Sequence, residues 1–386
     1  MQKILFVSSK NLSIKNFDGA QKRSYEIVES LSRKNKIDFI FASNKAKIIE
    51  TKICRKILFF KINFFERLVN ILISMMKLEP LQNGFFLSRK MKKYILENKD
   101  DYDVIIFHMI RCAQYLPGNF YGKKILEMTD LMSKNYKMVA KELSFYNPLK
   151  YVYFFEMLLL KHYEKKISKK FDKIVFVSQH EYKDAKKFIP NNKIINVSNS
   201  YKTTKMIYNF KAKNYKIIFV GNINYTPNKI ACYDFSKNVL PIIKKKYSSM
   251  EFHIVGKINL WDRFLLSKYD GVKIYGQVEK LDKIFSNGIC GICNLKVTTG
   301  IQNKIFTYMS YGLPVIASQN SFPKKLLKKN QDLLVYKNSK YEIVKNIIKL
   351  KENKKLSVKI SKNSFKKLKN SFNKSKTYIR YNKIVN

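Results

Sequence analysis

The chain is poor in acids. Its 386 residues carry 28 Asp and Glu against 76 Lys and Arg, a formal charge of +48. So few carboxylates leave little material for reactions that need a pair of them as acid and base. The basic excess attracts polyanions: nucleic acid, anionic lipid or phosphorylated small substrates. A compositional cause competes with these, because Lys, Asn, Ile, Phe and Tyr are abundant throughout and the lysines are spread along the whole chain. Cysteine is also scarce. Five scattered cysteines, an odd number in so long a chain, exclude a disulfide framework and fit reduced thiols. No apolar run reaches the roughly 20 residues of a spanning helix. The longest, Leu68–Met76 and the region 151–160, are interrupted or flanked by charge. The opening QKILFV lacks the small-residue cleavage site of a secretory signal. These absences set the expectation of a cytoplasmic protein with at most peripheral contact with a membrane surface.

Hydrophobic residues make up 46% of the chain, enough for full burial, and the length suggests two domains. Short apolar runs recur with helical stretches between them. In the first half they are 3–7, 37–41, 104–107, 124–126, 173–177 and 193–197. In the second they are 216–220, 252–255, 272–275, 289–293, 315–317 and 333–336. Their apolarity is continuous rather than alternating, which predicts strands buried on both faces in parallel sheets covered by helices. Six runs and six, divided by the polar stretch 201–214, predict an α/β chain of two doubly wound, Rossmann-like domains facing a cleft. The boundaries fall at 1–202 and 203–365, with a C-terminal helix at 366–386 returning to the first domain. Helices are predicted over 59–76 and 148–165. Each mixes aromatic, aliphatic and basic residues; each is expected to face a core, with interfacial membrane docking as the alternative.

Ligands of such sheets sit beyond the carboxyl ends of the strands. The stretch 300–318, GIQNKIFTYMSYGLPVIAS, reads as a turn, a short helix from Lys304, a glycine stop at Gly312 and the next strand. The start of that helix is suited to an anion. A lysine in a first turn opposes the helix dipole, and a bound diphosphate would remove the conflict. Glycine turns also follow two strands of the same half, at Gly221 and Gly256, and Gly19 lies in FDGAQKRSYEIVESLS (17–32) beyond the first strand. Two metal readings fail. Cys290 and Cys293 form a CxxC within an apparent buried strand, where residues three apart point to opposite faces. Asp101-Tyr102-Asp103 precedes a strand, the wrong end for a ligand site, and is ordinary turn chemistry.

In order, KILFVSS, FDGAQKRSYEIVESLS, FDKIVFVSQHE, IIFVGNINYTPN, FHIVG, YGQV and GIQNKIFTYMSYGLPVIAS resemble the retaining, GT-B fold glycosyltransferases of the family 4 type, across nearly the whole chain. The last stretch is the most specific. The resemblance implies a nucleotide-sugar donor held mainly by the second domain, an acceptor held mainly by the first, retention of configuration, and neither metal nor cofactor. It implies that Gly300, Gln302, Asn303 and Lys304 meet the donor sugar and diphosphate, with Gly221 and Asn222 by the phosphates and Gly19 opposite. His108, at the end of VIIFH, would reach toward the transferred sugar, with a satisfied strand-end histidine as the alternative. Asp130 would hold an acceptor hydroxyl, with a helix N-cap as the alternative. Thr307 stands where the family usually has a glutamate gripping the ribose, and Asn199-Ser200 where it has Asn-Gly. The acceptor would be a lipid-linked or surface-glycan intermediate in polysaccharide synthesis. Competing expectations are a nucleotide-sugar epimerase, a catalytically weak or inactive binding or scaffold protein, and a nucleic-acid binder. The last leaves the glycine turns unexplained, so no nucleic-acid partner is expected.

Overall fold

A computed structural model describes residues 1–12, 19–44, 52–201, 206–278, 280–296, 298, 302–337, 339–372 and 374–386. Two compact units emerge, one of Met1–Asn199 with Ser375–Asn386 and one of Ser200–Lys374.

The first unit is a seven-stranded sheet, all parallel. Its strands are β1 (Lys3–Ser8), β2 (Lys36–Ser43), β3 (Lys56–Lys61), β4 (Val104–His108), β5 (Lys123–Thr129), β6 (Lys173–Phe176) and β7 (Ile194–Asn196), in the spatial order β3-β2-β1-β4-β5-β6-β7. The helices are α1 (Gly19–Leu31), α2 (Phe64–Met76), α3 (Leu81–Phe85), α4 (Arg89–Asn98), α5 (Met132–Glu142), α6 (Leu149–Ser168) and α7 (Gln179–Ala185). Alternate residues of β1 supply two different cores. Leu5 and Val7 pack with Ile105 and Phe107 on one face, and Ile4 and Phe6 with Phe39 and Ile106 on the other. This two-sided burial is why the runs read as continuous.

The second unit is a six-stranded parallel sheet in the order β10-β9-β8-β11-β12-β13. Its strands are β8 (Lys216–Val220), β9 (Glu251–Val255), β10 (Val272–Gly276), β11 (Gly288–Cys293), β12 (Val315–Ser318) and β13 (Leu334–Tyr336). Its helices are α8 (Thr226–Asp234), α9 (Leu240–Lys246), α10 (Leu260–Ser267), α11 (Asp282–Phe285), α12 (Asn303–Ser310), α13 (Lys340–Glu352) and α14 (Lys354–Ser371). The chain ends in α15 (Lys374–Val385), so the tail is divided: α14 packs Ile360 and Leu368 into the second unit's core, and α15 packs Tyr381, Ile384 and Val385 into the first unit's.

Two readings change. The helix expected from residue 59 starts at Phe64, because Lys56–Lys61 forms β3. This edge strand is half-buried and short, and over six residues apolarity does not separate strand from helix. The helix that follows also reverses its expected orientation. On α2 the buried residues are Asn70 and Ser74, while Phe64, Phe65, Leu68, Leu72 and Met76 are exposed. The segment beginning at 148 is divided: Met157, Leu160, Tyr163 and Ile167 face the core, but Tyr151, Val152, Phe154 and Phe155 do not.

In each sheet the strand order reverses at one place, between β1 and β4 in the first unit and between β8 and β11 in the second. Such a switch point opens a crevice beyond the carboxyl ends of the strands.

Candidate active site

The residues singled out from the sequence fall into two groups, one per unit, and each group lies beyond strand ends.

In the second unit, β8 and β11 part after the Ile218–Gly291 pair. The Tyr308 hydroxyl fills the gap: it accepts the Val220 N–H at 2.8 Å and donates to the Ile292 carbonyl at 3.1 Å. Tyr308 lies on α12, so this bond seats α12 at the switch point. Beyond β8 the chain turns at Gly221, whose N–H bonds the Val255 carbonyl at 2.9 Å. Gly256, after β9, has φ +138°, and a Cβ there would stand 1.8 Å from the Gly221 carbonyl oxygen. The two loops approach too closely for any side chain at that position.

Lys304, in the first turn of α12, is buried, with 8% of its surface exposed. Its ammonium sits 3.6 Å from the Phe219 ring centroid and donates to Asn228 Oδ1 at 2.7 Å. Asn228 Nδ2 donates to the Asn222 carbonyl at 2.8 Å, which fixes the amide with its oxygen toward the lysine. Among the described residues no carboxylate pairs with Lys304. Burial lowers its pKa from 10.5 to about 8, while the neighbouring thiols of Cys293 and Cys232 act weakly the other way. A buried cation held by a neutral amide and a ring face is one anion short of a paired charge. A Cβ on Gly221 would lie 3.4 Å from the Lys304 ammonium and 2.9 Å from Asn228 Nδ2. The glycine therefore leaves open the space that the ammonium adjoins.

Gln302 precedes α12, whose N-terminus carries no side-chain cap. Asn303 accepts a short hydrogen bond from the Tyr201 hydroxyl, and the Tyr201 ring stacks on Phe306 at 4.5 Å. Thr307 Oγ1 donates to the Asn303 carbonyl at 3.1 Å, one turn back on the same helix. Gly300 lies outside the described residues.

In the first unit, His108 ends β4, buried against Phe6 with ring centroids 5.9 Å apart. The next residue, Met109, has φ +72°, and Thr129, which ends β5, has φ +68°. Left-handed backbone at non-glycine residues costs on the order of 1–3 kcal/mol, more for a β-branched threonine, and such residues concentrate at functional sites. Asp130, half-buried, follows Thr129. It does not cap α5, whose N-cap is Leu131. The Leu131 N–H is taken by Glu181 Oε1 at 3.2 Å, and the Asp130 carboxyl lies close enough to influence Glu181 electrostatically. Burial raises the pKa of both carboxyls, and the Asp130 charge raises that of Glu181 further. Gly19 is exposed and opens α1. Asn199 accepts from Arg23 at 3.2 Å.

Cys290 and Cys293 are buried on β11 as free thiols. Asp103 accepts the Lys3 N–H at 2.7 Å at the start of β4. Among the described residues no three His, Cys, Asp or Glu side chains gather as a metal site.

Residues 214–353 match the family model for glycosyl transferases group 1. This segment is similar to group 1 glycosyltransferase domains. It contains Lys304, the Gly221 and Asn228 that adjoin its ammonium, and Thr307. No curated protein matches the sequence significantly. Solved structures share the fold of the whole chain. Sucrose-phosphate synthase from Thermosynechococcus elongatus aligns with TM-score 0.73 at 15% identity, covering 100% of this chain and 98% of its own. A TarM variant from S. aureus, in complex with UDP and glycan ligands, aligns with TM-score 0.68 at 10% identity, covering 100% of both chains. Alr3699/HepE from Anabaena, in complex with UDP and glucose, aligns with TM-score 0.68 at 11% identity, covering 99% of each. The two parallel sheets and these neighbours give the chain the GT-B fold. Sequence reasoning had named Lys304 and Gly221 but not Asn228, Phe219 or Tyr201. Asn228 lay within the quoted INYTPN motif, and an amide in the first turn of α8 was its only signal.

Proposed function

We propose that the chain is a retaining, metal-independent glycosyltransferase. It moves a sugar from a nucleotide-sugar donor to a glycan or lipid-linked glycan acceptor in surface polysaccharide synthesis. The observation that carries this reading is the Lys304 ammonium, buried beside Gly221 with no carboxylate partner among the described residues. A diphosphate supplies the missing anion. Lys304 and the start of α12 then stand where negative charge grows as the nucleoside diphosphate departs, and they meet it without reorganising. Lys304 provides the charge that a metal ion supplies to other phosphate sites. His108 and Asp130, at the ends of β4 and β5, contact the transferred sugar and an acceptor hydroxyl. The complexes of TarM and HepE with UDP make uridine diphosphate sugars the first donors to test.

The test is incubation with a panel of nucleotide sugars and glycan acceptors in the presence of chelator, with the product's anomeric configuration read by NMR. The expected result is transfer from one donor class with retained configuration. An inverted product, or transfer only with divalent metal, would contradict the mechanism.

One observation favours a second reading, a weakly active or inactive binding protein. The Thr307 hydroxyl is bonded to its own helix rather than presented to a ligand. Thr307→Glu places a carboxylate at the position from which the family grips the ribose. Donor affinity should rise about tenfold, the size of one charge-assisted hydrogen bond. Calorimetric titration of donor into both forms measures it. Unchanged affinity would mean that another residue already holds the ribose.

A further inference from the structure

Helix α2 is built inside out. Its buried residues are Asn70 and Ser74, both polar, and Asn70 bonds neighbouring segments. Asn70 Nδ2 donates to the Leu87 carbonyl at 3.1 Å and Oδ1 accepts from Arg89. The backbone of α2 at Asn70 meets α3 at Gly84 so closely that a Cβ there would stand 2.3 Å from the Asn70 carbonyl oxygen. Packing is therefore spent on the polar side of α2. The opposite side carries Phe65 at 79% exposure, Leu72 at 59% and Met76 at 85%, with Phe64, Leu68 and Val69.

The start of α6 repeats the pattern. Tyr151, Val152, Phe154, Phe155 and Leu158 are exposed, and Phe145 and Tyr146 just before the helix are too. The two elements are joined through α3. Glu156 of α6 accepts the N–H groups of Leu81 at 2.7 Å and Gln82 at 3.1 Å, so it caps α3, which in turn packs on α2.

The charges sort the same way. Glu156 and Glu164 of α6 are buried and committed inside, Glu164 to Ser133. Glu66 of α2 is bound to the Arg89 N–H. Apart from the exposed Glu142 and the partly exposed Glu66 and Glu79, the charges that these helices and their flanks show to solvent are cations, among them Lys61, Lys77, Lys141, Lys161, Lys165 and Lys166. Exposed aromatic and aliphatic rows with basic borders fit an anionic bilayer surface. They do not fit a second copy of this chain, since its own +48 would repel it. No helix among the described residues is long and apolar enough to cross a membrane, so the contact is with the surface.

We propose that the exposed faces of α2 and the first half of α6 form one docking surface for an anionic lipid bilayer, with Phe65, Leu72, Met76 and Phe155 entering the headgroup boundary. The inference does not depend on the transferase reading. The test is flotation of the full chain with phosphatidylcholine vesicles and with vesicles half phosphatidylglycerol, at low and moderate salt. The wild type should float with the anionic vesicles only and lose binding as salt rises. A Phe65→Gln, Leu72→Gln, Met76→Gln variant should keep its melting temperature, because those side chains are already in water, and bind the anionic vesicles at least about tenfold less. A Val152→Gln, Phe155→Gln variant should do the same. No binding at low salt, equal binding to neutral vesicles, or binding that both variants leave intact would overturn the proposal. So would a homodimer that the variants dissociate in sedimentation.

Discussion

Lys304→Met is expected to make the ligand-free protein more stable while weakening its hold on a diphosphate. The wild-type ammonium gives up hydration for one amide oxygen and the face of Phe219. Burial has moved its pKa from 10.5 to about 8, and a shift of that size corresponds to roughly 3 kcal/mol held against the folded state. Methionine fills similar space without the charge. The gain should appear in urea unfolding at pH 7 and should depend on pH with a definite sign. Below pH 8 both folded and unfolded wild type carry the proton, so the full penalty is present and the variant's advantage is widest. Between about 8 and 10.5 the unfolded chain keeps a proton the folded chain has lost. Wild-type stability then rises with pH relative to the variant, and the gap closes. A variant less stable than wild type at pH 7 would show that Lys304 is structural rather than strained for function.

Arg23→Met should have the opposite effect and a larger one, a loss of about 3–5 kcal/mol. Arg23 is fully buried in the first unit. It donates to Glu127 at 3.0 Å, to the Val197 carbonyl at 2.7 Å and to the Tyr381 hydroxyl at 2.6 Å, and Tyr381 in turn bonds Glu127. The cluster ties α1 and β5 to α15, the last helix of the chain. Removing the guanidinium strands the Glu127 carboxylate, whose pKa burial already raises and which Arg23 holds down. An acid with a raised folded pKa loses stability as pH rises through the interval above its unfolded value. The variant should therefore be more impaired at pH 8 than at pH 5. Tyr381→Phe removes one hydroxyl and should cost less, about 1–2 kcal/mol. Thermal unfolding of the three proteins at the two pH values checks the order. Equal loss for both variants, or none for Arg23→Met, would mean the cluster is not what holds α15.

The sequence made the sheets legible because each strand is buried on two faces and so reads as an unbroken apolar run. It failed at β3, an edge strand whose side chains are half-exposed and whose six residues continue into an aromatic helix. It failed again at α2. Periodicity says which residues share a face but not what covers that face, and here Asn70 and Ser74 are the buried ones. Among the candidate residues, Gly221 and Lys304 of the second unit and His108 of the first could be singled out because they lie at or beyond strand ends, where a parallel sheet puts its ligands. The pairs that define their chemistry were not. Asn228 meets Lys304 across 76 residues and Glu181 approaches Asp130 from another helix, proximities made only by the fold. Thr307 could be seen to break the family's pattern, but only the structure shows its hydroxyl turned back onto α12.

Lys304 is proposed as the cation of a donor diphosphate site. The most direct measurement is calorimetric titration of UDP and a UDP-sugar, with chelator present, into wild type and Lys304→Met at pH 7. The predicted result is binding to wild type that weakens roughly 10–100-fold in the variant, the worth of a charge-assisted hydrogen bond in a buried site. Equal binding to both proteins would contradict the claim, and so would a folded wild type that binds no nucleotide or nucleotide sugar of any base.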